Sequence, residues 1–478
     1  MRILITGATG FIGGRLLQSL LQAPLSQDQK LIALRRSPPP KAEAGDSTLT
    51  WRTCDLFSLR QTEDATRDCD IAVYLVHSML PAARLNQASF EDTDLILADN
   101  FARSCHKNGI KRIIYLGGLI PDAPQLSAHL RSRLEVESAL AAYGAEVITL
   151  RAGLILGAEG SSFQILSQLV RNLPMLGCPK WTRNITQPIA VPDALQLLRH
   201  AIRDRALPAG PYDIGGPDVL SYQALMQETG KALGLHRRFV EIPLFSPGLS
   251  LLWIQLITGA SRNLITPLIQ SLKYEMTVRN RKLMELSGVS GMPLADSLRE
   301  ALRELAPSLR ASTRKRTQFL RQKREVRSIQ RLPLPPGKNA DWVTHEYFRW
   351  LPRRLAPLVR VHSESRSGLP LTWHFRLTGI PRSLLELRES PDRSTPDRTV
   401  LLISGGLLVA RDSNSNARLE FREVLGGTQV LAAIHDFKPS LPWPIYKFTQ
   451  ALAHLWVMAR FRSHLSSSGS RLSLAANP

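Results

Sequence analysis

The sequence predicts an α/β protein: a doubly wound parallel sheet carrying a small substrate lobe, followed by a separate C-terminal α+β domain. Three observations predict it. Short β-branched or apolar runs alternate with helical patterns through residues 1 to about 240, as in a parallel sheet covered by helices on both faces. A glycine-rich turn stands directly between the first such run and the first helical stripe. Beyond a basic, proline-ended stretch the pattern changes to short alternating runs separated by turn residues.

The expected strands of the first part are Ile3–Thr6, Leu31–Leu34, Thr50–Cys54, Ile71–Val76, Arg112–Leu116 and Val147–Arg151. Between the first two, Leu16, Leu17, Leu20 and Leu21 recur at helical spacing and form one apolar stripe. From Ile242 to Ser261 twenty residues carry no charge, a length that permits a membrane span. Pro243, Pro247 and several polar residues make such a helix poorly apolar, so a buried helix is favoured, with an interfacial segment as the alternative. Residues 299–331 hold eleven Lys/Arg against three Asp/Glu and then break at Leu332-Pro333-Leu334-Pro335-Pro336-Gly337. This reads as a basic, partly helical connector.

The resulting plan is a domain over 1–298 with its core in 1–240, a linker over 299–340, a second domain over 341–465 and a loose Ser-rich tail over 466–478. In the second domain the expected strands are Thr372–Leu377, Thr399–Ile403, Arg418–Arg422 and Val430–Ile434. After Pro442 and Pro444 a helical pattern sets Ile445, Phe448, Leu452, Leu455, Trp456 and Ala459 on one face. An antiparallel sheet gripped by that long helix is the simplest packing.

Composition narrows the class. The chain has 478 residues, 44% hydrophobic and 21% charged, which excludes wholesale disorder. Its four cysteines form no Cys-x-x-Cys pair, and the strand-like start leaves no room for a secretory signal, so a reducing cytoplasm is expected. Residues 1–240 hold 26 Lys/Arg against 22 Asp/Glu, whereas 241–478 hold 35 against 18. The second half therefore has the charge to meet an anionic membrane surface, with a merely solvated basic face as the bland alternative. No recognition-helix, zinc-finger or aromatic RNA-binding motif accompanies the arginines, so nucleic acid is not the expected partner. No metal-ligand spacing and no Gly-x-Ser-x-Gly elbow stand out.

The chemistry-bearing constellation is Gly7-Ala8-Thr9-Gly10-Phe11-Ile12-Gly13, between strand and helix. Small residues there let the backbone turn tightly and approach a pyrophosphate, whose charge meets N–H groups and the positive end of the helix. The second strand runs into Arg35 and Arg36 with no adjacent acid. A guanidinium fork matches a ribose 2′-phosphate, which favours NADP(H) and leaves NAD open.

TGATGFIG with this layout resembles the atypical and extended short-chain dehydrogenase/reductase superfamily, especially its NmrA-like NAD(P)-binding members, over about residues 1–290. The resemblance implies a Rossmann-like fold, adenine contacts at Asp55 and Leu56, and a nicotinamide mouth at Val76, His77, Ser78 and Met79. It also implies a Ser after the fifth strand and a Tyr-x-x-x-Lys on the next helix. This chain departs from both: Gly117-Gly118 replaces the serine position, and the nearest analogue of the second motif is His129-Leu130-Arg131-Ser132-Arg133. His129 is then a candidate acid or base, because histidine titrates near neutrality, and Arg133 a candidate to orient the cofactor ribose.

Arg151–Gly157, Gly160–Phe163, Gln187–Asp193 and Tyr212–Gly216 continue the resemblance into the substrate lobe, where Gly215 and Gly216 read as structural turns. The segments from Asp341-Trp342 to Arg353 and around Ser394, Leu419 and Ala432 look like the appended domain of some bacterial NAD(P)H-binding proteins. That likeness implies a helix-grip fold with an apolar cavity. Two functions are expected: an NADP(H)-dependent oxidoreductase acting on a bulky apolar carbonyl-like substrate, or a non-catalytic NAD(P)H-binding sensor or assembly factor for a membrane complex.

Overall fold

The computed structural model describes residues 1–38, 48–78, 85–242, 255, 257–259, 261–315, 326–365, 370–410 and 416–475. Met79, most of the uncharged run after Ile242, Arg316–Arg324 and Ser413–Ser415 lie outside the described residues. The chain divides into two compact units, one of Met1–Pro81 with Leu97–Gln318 and one of Ala82–Ile96 with Phe319–Pro478.

In the first unit all six expected strands are present. They are β1 (Arg2–Ile5), β2 (Lys30–Arg35), β3 (Leu49–Thr53), β4 (Ile71–Tyr74), Arg112–Gly118 and Glu146–Ala152. With Gly210–Ile214 they make a seven-stranded sheet, every neighbouring pair parallel. From one edge the order is 210–214, 146–152, 112–118, β4, β1, β2, β3. The winding direction reverses at β1, so a crevice opens beyond the carboxyl ends of β1 and β4. Ile71 ends its strand at Tyr74 rather than Val76, which leaves Leu75–Ser78 as a loop over that crevice.

Helix α1 (Phe11–Gln22) buries Gly13, Leu16, Leu17 and Leu20. They pack with Ile3, Ile5, Leu31 and Ile71 of the sheet and with Leu197, Leu198, Ala201 and Ile202 of helix Val191–Arg203. Each such leucine contributes roughly 1.5–3 kcal/mol of burial, so the stripe seen in the sequence anchors the helix start at the crevice.

Of the span 299–340, expected as a connector, residues 299–315 belong to the first unit and 326–340 to the second. Leu298, Ala301, Leu302 and Leu305 of helix Leu294–Lys315 are buried against Leu156, Phe163 and Leu225. Glu304 of that helix forms a two-pronged ion pair with Arg15 of α1, at 2.6 and 3.2 Å. Val326–Pro333 is a strand of the second sheet. Its cations, which read as solvated in the sequence, meet acids instead: Arg331 lies 2.7 Å from Asp92 and Arg327 3.4 Å from Asp436.

The second sheet has eight strands in the order 359–364, 372–377, 383–389, 398–405, 418–424, 429–437, 326–333, 85–87. All pairings are antiparallel except the last, in which Leu85–Gln87 runs beside Val326–Ser328. One face packs on helix Ala340–Leu355 and on the long C-terminal helix Gln450–Ala475. Phe348 stacks on Trp373 with ring centroids 4.1 Å apart, and Tyr347 meets Phe461 at 5.1 Å.

The C-terminal helix does not present its expected face to the core. Tyr446, Ala451, Met458, Phe461 and Leu465 are buried there, whereas Ile445, Phe448, Leu452 and Trp456 are exposed. Both sides of this helix are apolar, so periodicity alone could not choose between them. The helix also runs through the expected tail as far as Ala475.

On the same strands Glu420 is buried among guanidinium groups. Arg422 lies 2.5 Å away, Arg398 3.0 Å and Arg418 3.7 Å. Burial pushes the Glu420 carboxyl up, but Arg398 and Arg422 prevail and hold it well below the usual carboxylate range. A carboxylate with a depressed pKa contributes stability above its unfolded value of about 4.3 and loses it as pH falls through the folded value. Glu420→Gln leaves three buried cations around a neutral amide. We expect a loss of about 3–5 kcal/mol at neutral pH, read from the denaturant midpoint, with the difference from wild type shrinking in acid. An unchanged midpoint would show that the cations find other partners.

Candidate functional site

The glycine turn closes on itself at the carbonyl of Gly7. Gly7 has φ of +65°, and a Cβ there would stand 2.7 Å from the Leu75 carbonyl oxygen. A Cβ on Gly13 would stand 2.2 Å from the Gly7 oxygen. Only glycine at both places lets β1, the loop after β4 and the first turn of α1 meet. Thr6, which the sequence placed simply in the strand, ties these elements: its N–H and hydroxyl both donate to Val73 O, and its hydroxyl accepts from Leu75 N. Ala8 is buried, whereas Thr9 and Gly10 face outward.

Helix α1 starts at Gly10 with no side-chain cap and no acid in its first turn, so its leading N–H groups are open to an anion. Phe11 packs against the lobe, where a Cβ on Gly157 would stand 2.5 Å from its ring. The residues Gly7–Gly13 thus fit a dinucleotide diphosphate: a cradle that side chains would fill, facing an uncapped helix end.

Arg35 ends β2 with its guanidinium 5.2 Å from the centre of the Trp51 ring, and Arg36 is exposed beside it. Asp55 shapes the turn after β3, its side chain accepting from Phe57 N, while Leu56 is buried with its carbonyl held by Asn100. Val76, His77 and Ser78 lie on the loop after β4, with His77 exposed.

The structure brings His129 and Arg133 together with that loop. Both stand on helix Ala128–Ala141, which Ser127 caps by accepting from Leu130 N. Arg133 is buried, and its stem lies over Gly118, where a Cβ would come within 3.4 Å of its Cγ. That distance is an ordinary van der Waals contact, so the arginine stem packs directly on the glycine in the expected serine position. Burial, then the Arg133 charge, then His77 hold the His129 pKa down to about 3. The imidazole is neutral at physiological pH, contrary to the sequence-based expectation that it titrates near neutrality.

Ser271, on helix Arg262–Ser271, is a site residue that sequence reasoning missed. Its hydroxyl lies 2.9 Å from His129 Nδ1 and donates to Pro267 O. With the hydroxyl proton on that carbonyl, His129 Nδ1 carries the hydrogen and Nε2 is left with its lone pair. A lone serine more than a hundred residues from the motif has no sequence signal. Beside these helices Leu119, Leu130 and Met276 pack with Leu126 and Tyr274 into an apolar cluster.

Gln187 fastens the lobe by donating to Gly216 O and accepting from Val278 N, and Cβ atoms on Gly215 or Gly216 would clash with Val278 or Pro188. The structural reading of these glycines agrees with this packing. Among the described residues, no group of three or more His, Cys, Asp and Glu could hold a metal ion.

Parallel sheet, glycine cradle and crevice define a Rossmann-like domain. Residues 3–204 match the profile of the NAD dependent epimerase/dehydratase family. A solved nucleoside-diphosphate-sugar epimerase from Staphylococcus aureus superposes with a TM-score of 0.51 at 16% identity, covering 63% of this chain and all of that one. UDP-glucose 4-epimerase from Thermotoga maritima, solved with UDP-glucose, gives 0.48 at 14% identity over 65% of this chain and all of that one. In sequence, auxiliary protein GraX of Staphylococcus aureus is 34% identical over 117 residues, 24% of this chain and 36% of that protein. The chain thus spans about a third of the length of the curated relative it matches.

A depressed histidine pKa means the neutral ring persists until pH falls to the folded value. His129 is therefore expected to keep neutral imidazole shifts in NMR from pH 8 down to about 5. In Ser271→Ala the Nδ1 partner is lost and the ring's nitrogen shifts should move toward the other tautomer. A His129 titration near 6.5 would contradict the burial and charge assigned to it.

Proposed function

We propose that the first unit binds NADP(H) in the Gly7–Gly13 cradle and acts as an oxidoreductase on a bulky, apolar, carbonyl-like substrate. The observation that carries this reading is the convergence of His77, His129 and Arg133 beside the crevice that the cradle lines. Bound there, the reduced nicotinamide supplies a hydride. Arg133, buried and cationic, stabilises negative charge that develops on the substrate oxygen or orients the cofactor ribose. His129, neutral and oriented by Ser271, positions the oxygen through a hydrogen bond rather than by titrating, and water supplies the proton.

Preference for NADP(H) rests on Arg35 and Arg36 at the end of β2, one stacked by Trp51 and one exposed. Replacing both with alanine should weaken NADPH binding about 10- to 100-fold by calorimetry and leave NADH within about twofold. Equal losses for the two cofactors would remove the assignment.

A second reading has its own observation: glycines occupy the serine position, and the histidine in the tyrosine position does not titrate near neutrality. On that reading the domain binds NAD(P)H as a redox sensor or an assembly factor for a membrane complex, without turnover. Direct cofactor binding measured beside NADPH oxidation on a panel of ketones, quinones and long-chain aldehydes separates the two. Turnover on any apolar carbonyl is expected. Saturable binding with no turnover across the panel would favour the sensor.

A further inference from the structure

The C-terminal helices of the second unit carry an apolar stripe that the fold does not use. Ile445 is 51% exposed, Phe448 68%, Leu452 54% and Trp456 45%, at successive spacings of three and four residues along Trp443–Phe448 and Gln450–Ala475. The core is served by the opposite side, through Tyr446, Ala451, Met458, Phe461 and Leu465. Exposing four large apolar side chains on two successive helices is unusual where no partner covers them.

Cations accompany the two aromatic rings. Lys447 Nζ lies 5.7 Å from the centre of the Phe448 ring, and the Arg460 guanidinium lies 5.8 Å from that of Trp456. From Phe437 to the last residue the chain has five Lys/Arg and no Asp or Glu. No helix among the described residues is long and apolar enough to cross a membrane. An apolar row bordered by cations, on a helix whose other side is already packed, matches the chemistry of a bilayer interface. Rings sit at headgroup depth and ammonium or guanidinium groups meet lipid phosphates. The unbroken positive charge selects an anionic surface.

We propose that this stripe docks the protein on anionic lipid bilayers, with Phe448 and Trp456 as the inserted anchors and Lys447 and Arg460 as the headgroup contacts. Full-length protein should float with vesicles of mixed phosphatidylglycerol and phosphatidylcholine, less so as salt is raised, and weakly with phosphatidylcholine alone. The double variant Phe448→Ser, Trp456→Ser changes only exposed side chains, so circular dichroism should be unaltered while the bound fraction falls about tenfold or more. The pair Lys447→Glu, Arg460→Glu should lose binding to anionic vesicles specifically. Failure to float with anionic vesicles would overturn the proposal. So would flotation undiminished by the serine pair, or light scattering that shows the stripe buried in a dimer which the serine pair dissociates. None of these readouts depends on nicotinamide binding or turnover.

Discussion

The carbonyl oxygen of Gly7 is the point on which the first unit turns. Three elements crowd around it: the end of β1, the loop leaving β4 and the first turn of α1. A Cβ at residue 13 would stand 2.2 Å from that oxygen, and one at residue 7 would stand 2.7 Å from the carbonyl of Leu75 in the loop leaving β4. Because those two side chains are missing, the helix start can be drawn onto the carboxyl ends of the central strands, where Leu16, Leu17 and Leu20 hold it. The winding reversal of the sheet then places this uncapped, positively polarised end at the crevice. The open helix end is thus a consequence of packing rather than an addition to it.

Across the crevice, the departures from the usual short-chain motif are physically coupled. The arginine that stands in place of lysine packs its stem on Gly118. Once buried, its charge helps keep the neighbouring imidazole neutral. Ser271, from the lobe, then occupies the Nδ1 position and orients the ring. Arginine, histidine and serine thus form one buried polar arrangement beside the loop that leaves β4.

The second unit solves a different problem, how to bury a basic sequence in a sheet. Its arginines lie on strands beside acids: Arg398, Arg418 and Arg422 around Glu420, Arg327 and Arg418 at Asp436, and Arg331 at Asp92. The net positive charge of the chain is therefore distributed unevenly between paired interior positions and the free surface. What remains outward on the C-terminal helix is acid-free and lies alongside apolar side chains.

The sequence by itself determined the parallel sheet and the cradle. The six strands were legible because β-branched runs and a period of 3.6 are local signals, and the cradle because only glycine satisfies its backbone. It could not supply the edge strand Leu85–Gln87, three residues with no alternation, or the strand Val326–Pro333, whose arginines hid a buried pattern of Val326, Ile329 and Leu332. Which face of the last helix is core, and that His129 is neutral, were decided only by tertiary structure. Both depend on what stands opposite: the sheet that chose Met458 and Phe461 over Leu452 and Trp456, and the buried guanidinium of Arg133. Local periodicity ranks the faces of a helix, but burial and charge come from residues brought together across the fold.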